Sequence, residues 1–352
     1  MSELPPPGAF QQSSELPAVS AAAGIVAPPA ADASRDHYLP RIACESQFVQ
    51  IRGLRYHLRI WHPPGDDQPA CPTGAAALDG PRRPLLLLLH GWMDVSASFQ
   101  FVVDKLQKSW RVVALDWRGF GLSEGSPGSE RAVDSYAFAD YLGDLDAVLD
   151  HLSPDAPVRI VAHSMGGNVA MLYAGIRPER VAGLVNLEGF GLRQTESAQA
   201  VERYRSWLDQ LKQPAQLRPF ASLDEVAARL IKTNSRLPVA KARFLAEHWA
   251  RPLQCGQQGY ALRADPAHKR VNPVLYRVDE ALACWAAIEA PVLWIASDQR
   301  DAFHQFTRTQ EYRRRLTVIR RLEEVEVADA GHMLHHDQPA RIAALIEDFF
   351  SR

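Results

Sequence analysis

The sequence predicts an α/β fold, a mostly parallel, doubly wound sheet with one helical insertion. Three observations carry this. Short apolar strand-like runs alternate with amphipathic stretches through the first half: Leu85–Leu89, Arg111–Leu115, Val158–Val161 and Val181–Leu187. Strands that are apolar throughout belong to a parallel sheet covered on both faces. From about Leu192 to Trp285 the strand pattern disappears and helical periodicity replaces it. The alternation then returns with Pro291–Ala296, a helix near Gln305–Leu316, Val325–Val327 and a last helix over Ala340–Phe350.

Taken in order, residues 1–40 are rich in Ala, Pro and Ser with few large apolar residues, and read as a disordered tail. Phe48–Arg52 and Leu54–Trp61 read as a strand pair joined at Gly53, and Pro63–Pro84 as a long Pro/Gly/Asp-rich loop. Helices are expected near Ala97–Gln107, over Tyr136–Leu152 and after Gly166. Ser222-Leu223-Asp224-Glu225 has the form of a capping box inside the insertion. The insertion also carries Tyr204, Trp207, Phe220, Phe244, Trp249, Tyr260, Tyr276 and Trp285; most should pack its own small core, leaving two or three to face a ligand. The expected organisation is a tail (1–40), a first core part (41–191), a helical insertion (192–285) and a second core part (286–352).

The 352 residues suffice for one large domain with an insertion. A hydrophobic fraction of 47% and a charged fraction of 23% are ordinary for a globular protein. The net charge of −2 carries no footprint for nucleic acid. The basic run Arg313, Arg314, Arg315, Arg320 and Arg321 sits among Glu311, Glu323 and Glu324, as a solvated helix face does. Cys44, Cys71, Cys255 and Cys284 are too widely spaced for a zinc motif or a disulfide framework. The N-terminus lacks the basic segment of a secretory signal, and the strongest apolar run is far too short to span a bilayer. The expectation is a cytoplasmic protein with a small-molecule substrate and no nucleic-acid or membrane partner; the oligomeric state is left open.

The chemistry centres on Val158–Gly167. An apolar strand ends at Ala162, Ser164 follows within the turn, and a helical pattern begins after it. A strand–turn–helix so tight needs small residues two before and two after the serine, here Ala162 and Gly166. The turn holds the Ser164 hydroxyl in the open with the Met165 N–H facing the same space. A serine hydroxyl attacks only if a base takes its proton.

Two further stretches complete a pattern: the buried run Pro84–Leu89 into His90-Gly91-Trp92-Met93-Asp94, and Ala328–Pro339, which places His332 in a loop before the last helix. Together with Asp116–Ser123, these motifs and their order resemble the α/β-hydrolase superfamily over residues 45–352. The resemblance implies that Ser164 is a nucleophile and His332 its base, with the Trp92 and Met165 backbone N–H groups forming an oxyanion hole. It places the insertion where that family carries a helical cap domain. His90 reads as a structural loop residue, and Asp116, Arg118, Gly121 and Ser123 as loop scaffolding. The triad acid has three candidates. The family's usual place follows the strand Pro291–Ala296, but the expected Gly and Asp positions fall on Ser297 and Arg300, leaving Asp298 and Asp301 out of step. A minority arrangement puts the acid one strand earlier, where Glu188-Gly189-Phe190-Gly191 ends Val181–Leu187. Glu188 is favoured, with Asp298 and Asp301 as alternatives.

His332, His335 and His336 have a spacing that could hold a metal, with Asp337 beside them, but a loop position and the lack of further carboxylates argue for polar surface instead. The resemblance implies no cofactor and no metal. It implies a serine hydrolase that cleaves a carboxylic ester, or a related acyl bond, through an acyl-enzyme. A carbon–carbon hydrolase of the meta-cleavage type, using the same triad, and a non-catalytic binding protein are the alternatives. Haloalkane dehalogenase and epoxide hydrolase chemistry, which in this family use an aspartate at the nucleophile position, fit a serine poorly.

Overall fold

The chain enters the central sheet as a hairpin. In a computed structural model, which describes residues 37–61, 83–125, 133–254, 256–299 and 302–352, β1 (Cys44–Ile51) and β2 (Leu54–Trp61) pair antiparallel. Arg52 and Gly53 between them take φ values of 48° and 82°. Two successive left-handed residues form the tight turn that matches strand twist, and a glycine at the second makes it accessible.

The alternation follows. β3 (Leu85–Leu89) leads through a 3₁₀ turn (Ser96–Phe99) to α1 (Gln100–Val103), then β4 (Arg111–Leu115), α2 (Phe138–Leu152), β5 (Val158–His163), α3 (Met165–Ile176) and β6 (Val181–Leu187). The insertion holds α4 (Ala200–Leu211), α5 (Leu223–Thr233), α6 (Val239–Trp249) and a short hairpin of β7 (Ala250–Pro252) and β8 (Tyr260–Leu262). Next come α7 (Val278–Ala286), β9 (Val292–Ser297), α8 (Ala302–Thr307), α9 (Gln310–Leu316), β10 (Leu322–Val327), α10 (Leu334–Asp337) and α11 (Pro339–Phe349).

The sheet order is β1-β2-β4-β3-β5-β6-β9-β10. Every pairing from β4 to β10 is parallel; only the β1/β2 and β2/β4 pairings are antiparallel. The chain runs from β3 outward to β4, then crosses back to β5 on the other side of β3. That reversal opens a crevice at the carboxyl ends of β3 and β5, where ligands bind in sheets of this type.

Alternate residues of each strand feed opposite cores. Leu85, Leu87 and Leu89 join Val113, Ile160 and Leu184 against α2, α3, Trp285 and Tyr312. Leu86 and Leu88 join Val112, Val161 and Val185 against α1 and the apolar face of α11. The sheet is covered on both faces, as its apolar strands require. A third cluster joins Val95, Ala97 and Phe101 to Val226, Leu230, Phe244 and Leu245, so α5 and α6 seat on the segment that follows β3.

Away from the loop that carries His332, the structure departs from the sequence expectations in four places. The helix expected over Ala97–Gln107 is a 3₁₀ turn and a single α turn; beyond it the buried Asp104 carboxylate is engaged by the Arg41 and Ile42 N–H groups and the Tyr38 hydroxyl. Residues 1–40 read as a disordered tail, yet the Tyr38 ring packs edge-on against Phe101 and Phe244 at 4.8 and 5.6 Å; the tail up to residue 36 lies outside the described residues, as does most of the Pro63–Pro84 loop. The insertion contains the β7/β8 hairpin, too short to show a period of two in sequence. Finally, α7 lies within the stretch assigned to the insertion but belongs to the core. A Cβ on Gly175 of α3 would stand 1.8 Å from the Cys284 carbonyl oxygen, and Trp285 is buried among sheet residues. Among the described residues no helix is long and apolar enough to cross a membrane.

Candidate active site

Ser164 sits at the junction of β5 and α3 with φ 51° and ψ −114°, a conformation costly for any residue with a Cβ. It is held by the sheet: the Ser164 N–H donates to Leu187 O at 2.9 Å, and its own carbonyl accepts from Asn168 N–H at 2.9 Å. A Cβ on Gly166 would lie 2.5 Å from Leu89 O and 2.7 Å from His90 O, so the elbow closes against the end of β3 only with glycine there. The position two before the serine tolerates a methyl group, since Ala162 points into the core and is fully buried.

The loop after β3 approaches as closely. A Cβ on Gly91 would meet His163 Nδ1 at 2.8 Å and Ser164 Cβ at 3.2 Å. Trp92 follows Gly91, and its indole is half exposed. Met165 opens α3, where the first N–H groups have no partner within the helix and carry the positive end of its dipole. His90 braces this loop and takes no part beside Ser164. Its Nδ1 faces Gly91 O at 2.7 Å and its Nε2 accepts from Trp117 N–H at 2.9 Å. Burial lowers its pKa to about 4, so it is neutral. Asp116 accepts from the Ser96 and Leu122 N–H groups and faces His57 Nδ1 at 2.7 Å. Ser123 bonds Asp116 O, Arg118 pairs with Asp144, and a Cβ on Gly121 would strike Asp116. All four scaffolding residues are engaged within or beneath their loop.

His332 lies between the serine and a carboxylate. Its Nε2 is 3.0 Å from Ser164 Oγ, and its Nδ1 is 2.9 Å from Glu188 Oε2. Its side chain is 36% exposed, whereas that of Glu188 is fully buried. The fold therefore offers the hydroxyl–imidazole pair to solvent while hiding the acid. Glu188 also carries a left-handed φ of 56°, held by a bracket: Asn186 Nδ2 donates to Gly189 O at 3.0 Å, and Gly189 N–H donates to Asn186 Oδ1 at 2.7 Å. The Glu188 N–H reaches Ile295 O at 3.0 Å. Gly189 packs on Gly167, and a Cβ on it would come within 2.8 Å of the Gly167 Cα, so the acid turn and the elbow helix meet glycine to glycine.

Burial pushes the Glu188 pKa up, but hydrogen bonds from His304 and His332 and the charge those imidazoles can carry outweigh it, and the group titrates at about 2. A carboxylate that stays ionised can hold the imidazole in one orientation and stabilise its protonated form.

Asp298 lies elsewhere. Its carboxylate accepts from the Asp329 and Ala330 N–H groups at 3.0 and 3.3 Å, bracing the loop that carries His332 from behind. Asp301 and Arg300 lie outside the described residues.

His335 and His336 are not polar surface. Both are buried, at 5.3 Å from the Phe99 ring and 5.4 Å from the Phe101 ring respectively, and burial lowers both pKa values well below the usual histidine range. They lie on α10, a single helical turn, where a loop was expected. His332 does not join them; Asp94 does, and Asp337 instead accepts from Gly331 N–H and Asn234. Among the described residues, two groups of donors lie close enough to be tested as metal sites: Asp94 with His335 and His336, and Glu188 with His304 and His332. In the second, the donor atoms are already bonded to one another. In the first, His335 Nε2 and Asp94 Oδ2 are 3.9 Å apart, wider than the roughly 3.4 Å between ligands about 2.1 Å from a tetrahedral ion.

Sequence reasoning missed Asn186, whose Asn-x-x-Gly spacing to Gly189 is a recognisable side-chain-braced turn. It also missed His304, for which the sequence holds no local signal.

Comparison with known proteins follows the same lines. Residues 84–339 match a family model described as the alpha/beta hydrolase fold. The chain is 28% identical over 276 residues to a serine hydrolase-like protein of Danio rerio, covering 76% of this chain and 81% of that one. It is 27% identical over 304 residues to epoxide hydrolase 2 of Siraitia grosvenorii, covering 76% of this chain and 92% of that protein. Among solved structures, a thioesterase domain from the curacin biosynthetic pathway superposes with a TM-score of 0.70 at 23% identity, covering 87% of this chain and 99% of that domain. With its sheet order, elbow and matched length taken together, this chain is a hydrolase-fold protein and belongs to the α/β-hydrolase family.

Proposed function

We propose that the protein is a serine hydrolase that cleaves a carboxylic ester or related acyl bond of a small molecule. The observation that carries this reading is the line Ser164 Oγ–His332 Nε2–Glu188, with contacts of 3.0 and 2.9 Å. In this mechanism His332 takes the Ser164 proton as Oγ attacks the carbonyl. The tetrahedral oxyanion is met by the backbone N–H groups of Trp92 and Met165. His332 then gives its proton to the leaving group, and a water molecule activated by the same imidazole releases the acyl group from Ser164. Glu188 keeps the imidazole in register and stabilises its positive charge throughout.

The relatives include proteins named as epoxide hydrolases, and the nucleophile discriminates between the two chemistries. A serine that opened an epoxide would be left as an ether, which the same machinery cannot hydrolyse. A carboxylate nucleophile would be left as an ester, which it can. Ser164 therefore favours acyl transfer.

A fluorophosphonate probe and a panel of p-nitrophenyl esters test this. The parent protein should be labelled at Ser164 and turn over short or medium esters, while Ser164→Ala should show neither. Absence of labelling would favour a binding protein. Turnover of a vinylogous diketone without ester turnover would favour carbon–carbon hydrolysis, and turnover of an epoxide alone would overturn the acyl mechanism.

A further inference from the structure

Glu188 Oε2 is shared. It faces His332 Nδ1 at 2.9 Å and His304 Nε2 at 2.8 Å, while Oε1 accepts the Ser297 N–H at 2.6 Å. His304 lies on α8, is almost wholly buried, and packs edge-on against Phe190 at 5.9 Å. Buried there, it is bonded to the same oxygen that orients His332. The geometry points to His304 as a positioning residue: a second imidazole that locks the Glu188 carboxylate and limits how strongly that carboxylate draws positive charge onto His332. This inference rests on the Ser164–His332–Glu188 reading and adds a fourth member behind the acid.

The physical argument runs through one acceptor oxygen. An ionised carboxylate only accepts, so the His304 Nε2 must carry a hydrogen to bond it. Each donor on Oε2 draws electron density from the other and weakens the pull on the His332 N–H. If His304 is neutral, removing it leaves Oε2 more basic, and the protonated form of His332 is favoured. If His304 is cationic, removing it also takes away a positive charge near His332, and the protonated form is again favoured. Both cases move the acidic limb of the rate profile upward in pH. Loss of His304 also leaves the carboxylate plane fixed only by the Ser297 N–H and His332, which lowers turnover without touching substrate affinity.

Among the described residues, the other groups near this pair come from three elements. His163 at the end of β5 has its Nε2 2.8 Å from His332 O and is neutral because it is buried. His335 on α10 is buried and neutral as well. Asp298 beyond β9 and Asp337 on α10 hold backbone N–H groups of the His332 loop, at 3.0 and 2.8 Å. None of these bonds the Glu188 carboxylate, so the effect of His304 is separable from theirs.

The experiment compares the full chain with His304→Gln, which keeps an N–H donor, and His304→Phe, which fills the space without one. His304→Leu serves if the phenylalanine variant does not fold. The first readout is the pH profile of kcat and KM for a p-nitrophenyl ester, with melting temperature as the control for folding. His304→Phe should lower kcat about tenfold with KM within twofold. Its acidic limb should rise by roughly half a unit or more, and His304→Gln should recover most of both. The second readout is the downfield proton resonance of the His332 Nδ1–H, which needs no activity. It should move further downfield in His304→Phe as the bond to Glu188 tightens. An unmoved limb and an unmoved resonance in a folded His304→Phe protein would overturn the proposal. Failure of the parent to be labelled or to turn over esters, with the resonance still moving, would instead overturn the catalytic reading of the site.

Discussion

The carboxamide of Asn186 grips Gly189 from both sides, donating to its carbonyl at 3.0 Å and accepting from its N–H at 2.7 Å. Glu188 lies between them, so the left-handed turn that aims the acid is fixed by a side chain at the end of β6. Asn186→Ala should lower kcat by tenfold or more while KM stays within a factor of two. It should also lower stability by about 2 kcal/mol, the worth of two buried hydrogen bonds. Steady-state kinetics together with urea unfolding measure both; a kcat within twofold of the parent would show that the sheet alone holds the turn.

Glu188 and Asp298 separate cleanly by substitution. Glu188→Gln keeps the shape but loses the charge that stabilises protonated His332, and kcat should fall by up to roughly 10⁴. Asp298→Asn weakens a brace behind the loop at Asp329 and Ala330, so its loss should stay under about tenfold. Reversal of the two results would move the acid to Asp298.

Backbone strain at Ser164 can be weighed directly. With φ at 51° and ψ at −114°, any Cβ is disfavoured there, and only glycine is free of the penalty. Ser164→Gly should therefore be about 1 kcal/mol more stable than Ser164→Ala, with both inactive. Equal unfolding midpoints in urea would mean that the conformation costs nothing in this context.

Tyr38 should behave as part of the core. Its ring meets Phe101 and Phe244, and its hydroxyl bonds Asp104. Tyr38→Ala should cost about 2 kcal/mol through lost burial and the loss of one of the two donors to Asp104 Oδ2, which keeps the Arg41 N–H. Truncation to residue 36 should leave the melting temperature nearly unchanged, whereas truncation to residue 40 should lower it by several degrees. The same melting temperature for both truncations would show that this docking contributes nothing.

Acid should destabilise the fold from about pH 6.5 downward, above the range in which ordinary carboxylates titrate. Burial lowers the pKa values of His90, His163, His335 and His336, so on acidification the unfolded chain takes up protons that the folded chain refuses. Stability present above pH 6.5 is lost as pH falls toward the folded values. His90 alone, moved from 6.5 to about 4, accounts for roughly 3 kcal/mol by pH 4. Asp94 works the other way. Burial raises its pKa to about 7, so its contribution falls as pH rises from about 4 to 7. Chemical denaturation should show lower stability at pH 4.5 than at 7.5, and Asp94→Asn should gain more stability at pH 8 than at pH 5. A flat profile from pH 7.5 to 4.5 would contradict the burial of the histidines.

The sheet, the elbow and the order of the motifs are legible in the residues alone. These depend on local chemistry: Leu85–Leu89 is apolar throughout because both its faces are covered, and Gly166 is small because the turn closes on Leu89 O. Such requirements write themselves into neighbouring residues, so they can be read from neighbouring residues. The Glu188 position was legible for the same reason, as a carboxylate at the end of an apolar strand before a glycine turn. Which groups meet across the fold is not legible there and follows from the packing. His304 reaches Glu188 across 116 positions of chain, and Asp94 rather than Asp337 faces His335. His335 and His336 read as surface because they are polar, but α10 packs on the Ser96–Phe99 turn and α1, and Phe99 and Phe101 there help to bury them. Tyr38 read as tail because its partners, Phe101, Asp104 and Phe244, lie far along the chain. Distance in sequence carries no record of such contacts; they exist only once the sheet has brought the loops at its carboxyl edge together.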